Sequence, residues 1–244
     1  MTKEQFETIL DQMNEICKNV NEQMDKNPEN SLRYEVLQYS DIANRYDIVQ
    51  QITDFYNRNW TGNKDFMHIP DFNQVLYNCS NYPIIIAREK GKSDILAIST
   101  IKYAENKDEE IDPYFPEKDA KYFSITGILT KKETKHRGMG KKIYEIALRG
   151  AYEFNKKYPG TRAMCVIDCR NKNSLRALAK AVENINETTF NGKNKELPAE
   201  IVGYYELVNN EMNPIEAPTL VLVVGLVEQP IMDKDELEIV YDKP

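Results

Sequence analysis

Hydrophobic residues near the start of the chain recur at three- and four-residue spacing. The apolar positions between residues 3 and 25 are Phe6, Ile9, Leu10, Met13, Ile16, Cys17, Val20 and Met24. This spacing predicts an amphipathic helix that Thr2 is placed to cap. Because the pattern is too short for a sustained heptad repeat, we expect the helix to pack on the domain and not to form a dimerising coiled coil.

The pattern then alternates between strand-like and helix-like stretches. The predicted elements are a strand over residues 33–39, a helix from a Ser40-Asp41 cap to about Trp60, a short helix over residues 72–79, and strands over residues 84–89 and 95–104. The turn-forming segment Lys90-Gly91-Lys92 joins the last two strands in a hairpin. Residues 105–120 contain two prolines and a carboxylate cluster without a clear period, so we expect a long loop there.

The stretch from Phe123 to Phe154 combines three patterns in sequence. An apolar run rich in β-branched residues ends at Thr130, a charged loop carries Gly138 and Gly140, and a helical pattern begins at once. A strand, a glycine loop and a helix N-terminus would point several backbone N–H groups and the positive end of a helix dipole at one spot. This arrangement predicts a site for a phosphate or pyrophosphate, and so a nucleotide-type cofactor.

The last third of the chain continues the alternation. We expect a strand over residues 162–169, a helix over residues 171–183, a polar stretch over residues 184–198, strands over residues 201–208 and 220–227, and a tail lying along the surface. Together the elements predict an α/β fold, a mixed sheet of six to seven strands flanked by helices, with an extra N-terminal helix. The predicted organisation is residues 1–30 as that helix, 31–230 as the domain and 231–244 as the tail.

Composition narrows the class of partner. The 244 residues carry a formal net charge of −7 and 41% hydrophobic residues, which is typical of a soluble globular protein. Binding to nucleic acid needs a basic face, so we expect no nucleic-acid partner. An acidic surface suits a cationic or amine substrate, although the charge could equally serve solubility alone.

Cysteine use and hydropathy predict a cytoplasmic protein. Cys17, Cys79, Cys165 and Cys169 lie in patterned segments without the dense spacing of a disulfide framework, so a reducing cytosol is expected. Cys165 and Cys169 are interpreted as small core residues, not as zinc ligands or a nucleophile, and no metal is expected. The N-terminus lacks the apolar core of a signal peptide, and the apolar run of residues 219–227 is too short to span a bilayer.

Two common phosphate motifs fit the glycine loop poorly. A Walker loop requires Ser or Thr after Gly-Lys and a glycine five residues earlier, but Lys142 follows Gly140-Lys141 and Lys135 stands at the earlier position. The dinucleotide fingerprint requires a third glycine where Ile143 stands, although Asp168 at the end of the next strand resembles the acid that binds ribose. Dinucleotide binding therefore stays an alternative.

A third pattern fits better. The loop resembles the acyl-CoA-binding motif Q/R-x-x-G-x-G/A of the GNAT superfamily of N-acyltransferases, with Lys135, Gly138 and Gly140 at the first, fourth and sixth positions. Lysine at the first position departs from the motif but keeps a donor near the phosphates. The family continues with a strand and an Asn-x-x-Ser or Asn-x-x-Ala helix entry, and here Asn171 and Ser174 match that entry. The resemblance covers about residues 33–227.

The resemblance implies a set of cofactor-binding residues for acetyl-CoA. Backbone N–H groups of the loop would hold the pyrophosphate, and the lysine and arginine side chains would add positive charge. The end of the fourth strand would pair with the pantetheine and polarise the thioester carbonyl. The implied residues are Gly127, Ile128, Leu129 and Thr130 in the strand, Lys135, His136, Arg137, Gly138, Met139, Gly140 and Lys141 in the loop, and Asn171, which would bond the pantetheine.

Catalytic groups are harder to assign. In this family a tyrosine of the last helix often protonates the leaving thiolate, but Leu178 stands at the matching place. Ser174 is interpreted as a helix-capping residue that alternatively bonds the CoA sulfur, and Tyr205 in the penultimate strand as a candidate at the acceptor site. The resemblance implies an N-acyltransferase that transfers an acetyl or similar acyl group to an amine by direct attack.

The expected acceptor is a small-molecule or peptide amine, and we expect no membrane partner and a monomer or homodimer. The alternative is a catalytically silent acyl-CoA-binding or partner-binding domain, which the missing tyrosine favours.

Overall fold

The computed structural model describes most of the chain in ten ranges. They are residues 2–27, 29–37, 46–60, 69–104, 121–134, 138–158, 161–168, 171–190, 199–208 and 214–224. The predicted Ser40-Asp41 cap, the loop over residues 105–120 and the C-terminal tail lie outside these ranges, as does Cys169.

Five helices and seven strands occur within the described ranges. The helices are α1 (Lys3–Asp25), α2 (Tyr46–Asn59), α3 (Phe72–Asn81), α4 (Met139–Lys157) and α5 (Lys172–Phe190). The strands are β1 (Leu32–Leu37), β2 (Ile84–Glu89), β3 (Ile95–Ala104), β4 (Lys121–Thr130), β5 (Thr161–Asp168), β6 (Ala199–Val208) and β7 (Pro214–Val224). The predicted α/β class is confirmed.

Local sequence accounts for the start of α1. Thr2 Oγ1 accepts a hydrogen bond from the backbone N–H of Gln5, and Gln5 Oε1 accepts one from the backbone N–H of Thr2. This reciprocal capping box satisfies two backbone donors that a helix end otherwise leaves without partners. The predicted capping role of Thr2 is confirmed.

The strands form one mixed sheet in the order β1-β2-β3-β4-β5-β7-β6. The four strands β1 to β4 pair antiparallel with one another, which confirms the predicted hairpin of β2 and β3. β4 and β5 pair in parallel, and α4 connects them. Consequently the carboxyl ends of β4 and β5 lie at the same edge of the sheet, and α4 and α5 each begin beyond that edge.

Helices cover both faces of the sheet. One hydrophobic cluster joins α1, α4 and α5 to one face, and a second joins α2 and α3 to the other. Strand β2 contributes Ile85 and Ala87 to the first cluster and Ile84 and Ile86 to the second, as alternation along a strand requires. The strand is therefore buried on both sides, which explains its uninterrupted apolar sequence.

Two predicted boundaries are wrong. Helix α5 continues to Phe190, whereas the sequence predicted a polar stretch from residue 184. The tertiary contacts explain the extension, because Ile185 is buried in the core and Asn184 donates a hydrogen bond to Glu145. Strand β7 starts at Pro214 instead of residue 220, since its first residues pair with the end of β6.

Helix α1 packs closely on α4. Met13 is fully buried, and a Cβ atom built on Gly150 of α4 would lie 2.8 Å from Met13 Cε. Gly150 therefore leaves space for the Met13 side chain, which would have to shift if a larger residue replaced this glycine.

This packing predicts that α1 contributes to the stability of the whole fold. Met13→Ala should lower the free energy of unfolding by about 2–4 kcal/mol, since it removes buried atoms and leaves a cavity. Chemical denaturation monitored by circular dichroism measures the change. Lys18→Ala, on the exposed side of the same helix, should change stability by less than about 0.5 kcal/mol. Equal effects of the two variants would contradict the packing of α1 on the domain.

Candidate active site

Strands β4 and β5 pair over only part of their length. The parallel register joins Lys121–Ser124 to Thr161–Met164 and includes no later pairs, although the structure describes both strands beyond those residues. Past Ser124, β4 continues beside β3, and past Met164, β5 continues beside β7. The two strands thus diverge towards their carboxyl ends, and a gap opens in the middle of the sheet.

Side-chain exposure agrees with this divergence. Phe123 and Ile125 are buried, whereas every residue from Thr126 to Thr130 is half-buried. Five consecutive half-buried residues are unusual for a strand in the interior of a sheet, where both neighbours normally cover it. The backbone edge of β4 that faces the gap is therefore available to an extended ligand.

A β-bulge lies where the strands diverge. Ile98 pairs with Leu129 and Thr100 with Thr126, so the single residue Ser99 stands opposite both Gly127 and Ile128. Ser99 is fully buried, and its hydroxyl donates to Thr126 O at 3.2 Å. A bulge bends a strand and interrupts its ladder of hydrogen bonds. This bulge therefore interrupts β4 within the segment that no longer pairs with β5.

Gly127 is required at the bulge for two reasons. Its φ of +61° lies in the left-handed region, where a side chain is strained. In addition, a Cβ atom at this position would lie 3.0 Å from the hydroxyl of Tyr56. That hydroxyl lies 3.5 Å from Gly127 O, so helix α2 supports the bulge from the second face of the sheet. Burial raises the pKa of Tyr56 to about 12, and the phenol stays neutral at physiological pH.

The loop after β4 is anchored at its start. The backbone N–H of Lys131 donates to Leu96 O at 2.7 Å, and that of Lys132 donates to Asn59 Oδ1 at 3.1 Å. Asn59 is buried at the end of α2, and its Nδ2 donates to Phe55 O. These bonds fix the direction in which the chain leaves the sheet. The next predicted site residues, Lys135, His136 and Arg137, lie outside the described ranges.

Gly138, with φ of +74°, is the N-cap residue of helix α4, and no side-chain hydrogen bond caps the helix in the described structure. Its first turn therefore presents backbone donors at the positive end of the helix dipole. Gly140 lies beside the end of β4, since a Cβ atom built on it would be 3.8 Å from Thr130 Cγ2. The structure thus places Gly140, in the first turn of α4, next to Thr130.

Two lysines of this first turn share one buried carboxylate. Glu145 has a side chain only 3% exposed; its Oε2 accepts a hydrogen bond from Lys142, and its Oε1 lies 3.5 Å from Lys141 Nζ. Asn184 Nδ2 of α5 donates to Glu145 Oε1 at 2.6 Å. Glu145 therefore compensates part of the positive charge that the sequence predicted Lys141 would offer to a phosphate, and it links α4 to α5.

The start of α5 lies next to α4. Asn171 Oδ1 accepts from the backbone N–H of Ser174 at 3.2 Å, as an N-cap side chain does. The capping interpretation of Ser174 is therefore wrong, because Asn171 caps the helix and Ser174 is its third residue. The Ser174 hydroxyl is instead hydrogen-bonded to the hydroxyl of Tyr144 at 2.8 Å. Leu178, at the place of the missing tyrosine, is buried.

The topology brings most of the described candidates together. The end of β4, the first turn of α4 and the first turn of α5 meet where the parallel strands β4 and β5 end, which is where open α/β sheets bind ligands. Tyr205 lies on β6, where its backbone pairs with Thr219 of β7, so β7 separates its strand from β5. The structure describes the backbone of Tyr205 but not its side chain.

Sequence reasoning missed Tyr56, Asn59, Tyr144 and Glu145. Each lies at an ordinary position of a helical pattern, and each acquires its partner from an element distant in the chain. The one signal that the local sequence offered was Glu145, a charged residue at a position of the regular α4 pattern that the structure shows to be buried.

Three cysteines are buried thiols. Burial raises the pKa of Cys17 and Cys79 to about 12 and also raises the pKa of Cys165. A thiol is nucleophilic as the thiolate, so none of the three is activated for covalent catalysis. The prediction that Cys165 is a small core residue is confirmed.

Comparisons with known proteins concern the fold. No protein-family model matches the sequence, and no curated protein matches it. The structure is similar to an acetyltransferase of GNAT family from Streptococcus pneumoniae, with 14% identity over 80% of this chain and 99% of that chain and a TM-score of 0.47.

It is also similar to the ribosomal-protein-S5-alanine acetyltransferase from Vibrio fischeri, with 12% identity over 82% and 96% and a TM-score of 0.47. A third similar structure is Arabidopsis thaliana NAA60 in complex with acetyl-CoA, with 12% identity over 80% and 98% and a TM-score of 0.43. None of the helices in the described ranges is long and apolar enough to cross a membrane.

The Glu145 cluster gives a testable prediction about stability. Glu145→Ala should lower the free energy of unfolding by about 2 kcal/mol, because Asn184 loses a buried acceptor and two lysines lose their counter-charge. The loss is limited because both lysine side chains are about a third exposed and remain hydrated. Thermal and denaturant unfolding measure it.

Glu153→Ala is the matched control on the same helix. Its carboxylate pairs with Lys156 at 2.7 Å in a half-exposed position, so its removal should change stability by less than about 1 kcal/mol. A loss as large as that of Glu145→Ala would contradict a special role of the buried carboxylate.

Proposed function

We propose that this protein is an acyl-CoA-dependent N-acetyltransferase that uses acetyl-CoA as its co-substrate. The observation that carries the proposal is the gap between β4 and β5, with the first turn of α4, which no described side chain caps, beside the end of β4. An extended pantetheine arm needs a free strand edge, and a pyrophosphate needs backbone donors at a helix N-terminus. The loop sequence, which resembles the GNAT acyl-CoA motif, adds independent support.

In this proposal the cofactor lies along the end of β4. The residues from Gly127 to Thr130 pair with the pantetheine through their backbone, and a backbone N–H at the bulge polarises the thioester carbonyl and stabilises the oxyanion. Residues 135–141 hold the pyrophosphate. Because Asn171 Oδ1 already caps α5, the Nδ2 group is the part of this side chain that bonds the pantetheine. The acyltransferase domain spans residues 31–230.

The acceptor amine attacks the thioester directly. A neutral nitrogen forms the bond to the carbonyl carbon without a covalent acyl-enzyme, and the buried thiols Cys79 and Cys165, whose pKa values are raised by burial, are poorly suited to forming one. The acidic net charge of the chain is compatible with a cationic small-molecule or peptide amine. Tyr205 is proposed to border the acceptor site. We expect the protein to work in the cytosol as a monomer or homodimer.

Binding and turnover separate this proposal from its alternatives. Isothermal titration calorimetry with acetyl-CoA should show saturable binding, and thiol release with a panel of primary amines should show turnover. Binding without turnover on any amine would favour a silent acyl-CoA-binding domain. Competition by NAD would favour the dinucleotide alternative, and no heat or thermal shift with acetyl-CoA would overturn the cofactor assignment altogether.

Two substitutions of Gly138 should distinguish two reasons for a loss of acetyl-CoA binding: a side chain that blocks the ligand and a strained backbone. Gly138→Val should abolish detectable acetyl-CoA binding, because a β-branched residue at positive φ distorts the turn and its side chain also blocks the pyrophosphate. Asn tolerates the left-handed conformation, and a Cβ atom at position 138 has no described protein atom within 4 Å, so Gly138→Asn should fold normally and still weaken acetyl-CoA binding at least about tenfold.

Gly140→Ala is the control, since its added methyl group makes ordinary contact with Thr130 Cγ2 and the GNAT motif accepts alanine there. It should bind acetyl-CoA nearly as well as the unmodified protein. If Gly138→Asn binds acetyl-CoA with wild-type affinity, the loop is only a turn and does not bind the phosphates.

A further inference from the structure

Tyr144 in the second turn of α4 and Ser174 in the first turn of α5 form a hydroxyl pair between two helices of the candidate active site. Tyr144 Oη and Ser174 Oγ are 2.8 Å apart, and they connect α4, which follows β4, with α5, which follows β5. Tyr144 is buried to 3% exposure, whereas Ser174 is half-buried. Tyr144 therefore lies in the core, and Ser174, at the start of the helix that follows β5, is the member of the pair that is partly accessible to a ligand.

The geometry allows either hydroxyl to donate in this hydrogen bond, and acidity favours Tyr144 as the donor. A phenol is a stronger acid than an aliphatic alcohol and so the better donor, while a serine hydroxyl can accept one hydrogen bond and still donate another. With Tyr144 donating, the hydrogen of Ser174 is left to point away from the core. Burial raises the pKa of Tyr144 well above its ordinary value, so this donor stays neutral.

We propose that Tyr144 is a positioning residue that orients the Ser174 hydroxyl towards the sulfur of the departing thiol. The inference rests on the proposed acyl transfer from acetyl-CoA. In this arrangement the Ser174 hydroxyl supplies a hydrogen-bond donor near the buried Leu178, which stands where the family has its tyrosine. A hydrogen bond to developing thiolate charge is stronger than one to the neutral thioester, so the effect falls on the transition state.

The chemical step balances without a proton from either hydroxyl. The acceptor nitrogen forms a bond to the carbonyl carbon, and the carbon–sulfur bond breaks with its electron pair moving to sulfur. The surplus proton on nitrogen goes to water. Ser174 donates a hydrogen bond to the thiolate as it leaves, and Tyr144 holds the Ser174 oxygen in place throughout.

Kinetics and a spectroscopic titration test the pair. Tyr144→Phe and Ser174→Ala should each lower kcat by about tenfold to a hundredfold, measured with acetyl-CoA and the best amine of the panel, with the calorimetric Kd for acetyl-CoA unchanged. The double variant should be no slower than Ser174→Ala, because both changes remove one shared interaction. Ser174→Thr, which keeps the hydroxyl, should retain most of the rate.

The thiol of bound CoA provides a readout that does not depend on turnover. Ultraviolet absorbance of the thiolate, followed against pH with CoA bound, should give a higher thiol pKa in Tyr144→Phe and in Ser174→Ala than in the unmodified protein. Loss of a donor destabilises the thiolate, so its protonated form persists to higher pH. A purely structural role of Tyr144 would leave this pKa unchanged.

Tyr158→Phe is the matched control. It removes a tyrosine hydroxyl from the C-terminal end of α4, where the hydroxyl donates to exposed Glu4, and it should leave kcat and the thiol pKa unchanged. If Tyr144→Phe behaves like this control, the inference is wrong while the proposed acyltransferase stands. If the unmodified protein does not bind acetyl-CoA, the proposed function and the inference fall together. Should Tyr144→Phe be too unstable to assay, a wild-type thiol pKa in Ser174→Ala overturns the inference by itself.

Discussion

The divergence of β4 from β5 is the constraint on which the rest of the candidate site depends. If β4 and β5 paired along their whole length, their facing backbone edges would bond to each other and neither edge would be free. The helices that follow the two strands would then leave the sheet side by side, without a gap between them. Pairing here stops at Ser124 and Met164, and a bulge at Gly127 interrupts β4 beyond that point. The half-buried residues at the end of β4 and the first turns of α4 and α5 then surround one gap.

Helices on both faces hold this open arrangement in place. On one face, α2 supports the bulge through Tyr56 and the start of the loop through Asn59. On the other, α4 and α5 are joined by Glu145 with Asn184 and by Tyr144 with Ser174. These polar contacts are buried or partly buried, and a buried polar group without a partner is costly. They therefore restrict how far the two helices can move apart at the gap.

Much of the fold could be predicted from the sequence. The period of the apolar residues located α1, the β2–β3 hairpin, β4 and α4, because each buries a face whose spacing follows directly from helix or strand geometry. The boundaries of α5 and β7 could not be predicted. Asn184 and Pro214 look like loop residues locally, and a partner distant in the chain keeps each in a regular element.

The sequence by itself determined the strand, glycine loop and helix over residues 123–154, and with them a phosphate-type hypothesis, because glycine spacing and helix polarity are local properties. The tertiary structure decided what surrounds that loop. It showed that Asn171, not Ser174, caps α5, that Glu145 compensates Lys141 and Lys142, and that Tyr144 contacts Ser174. These pairings depend on the packing of α4 against α5, which no local pattern encodes.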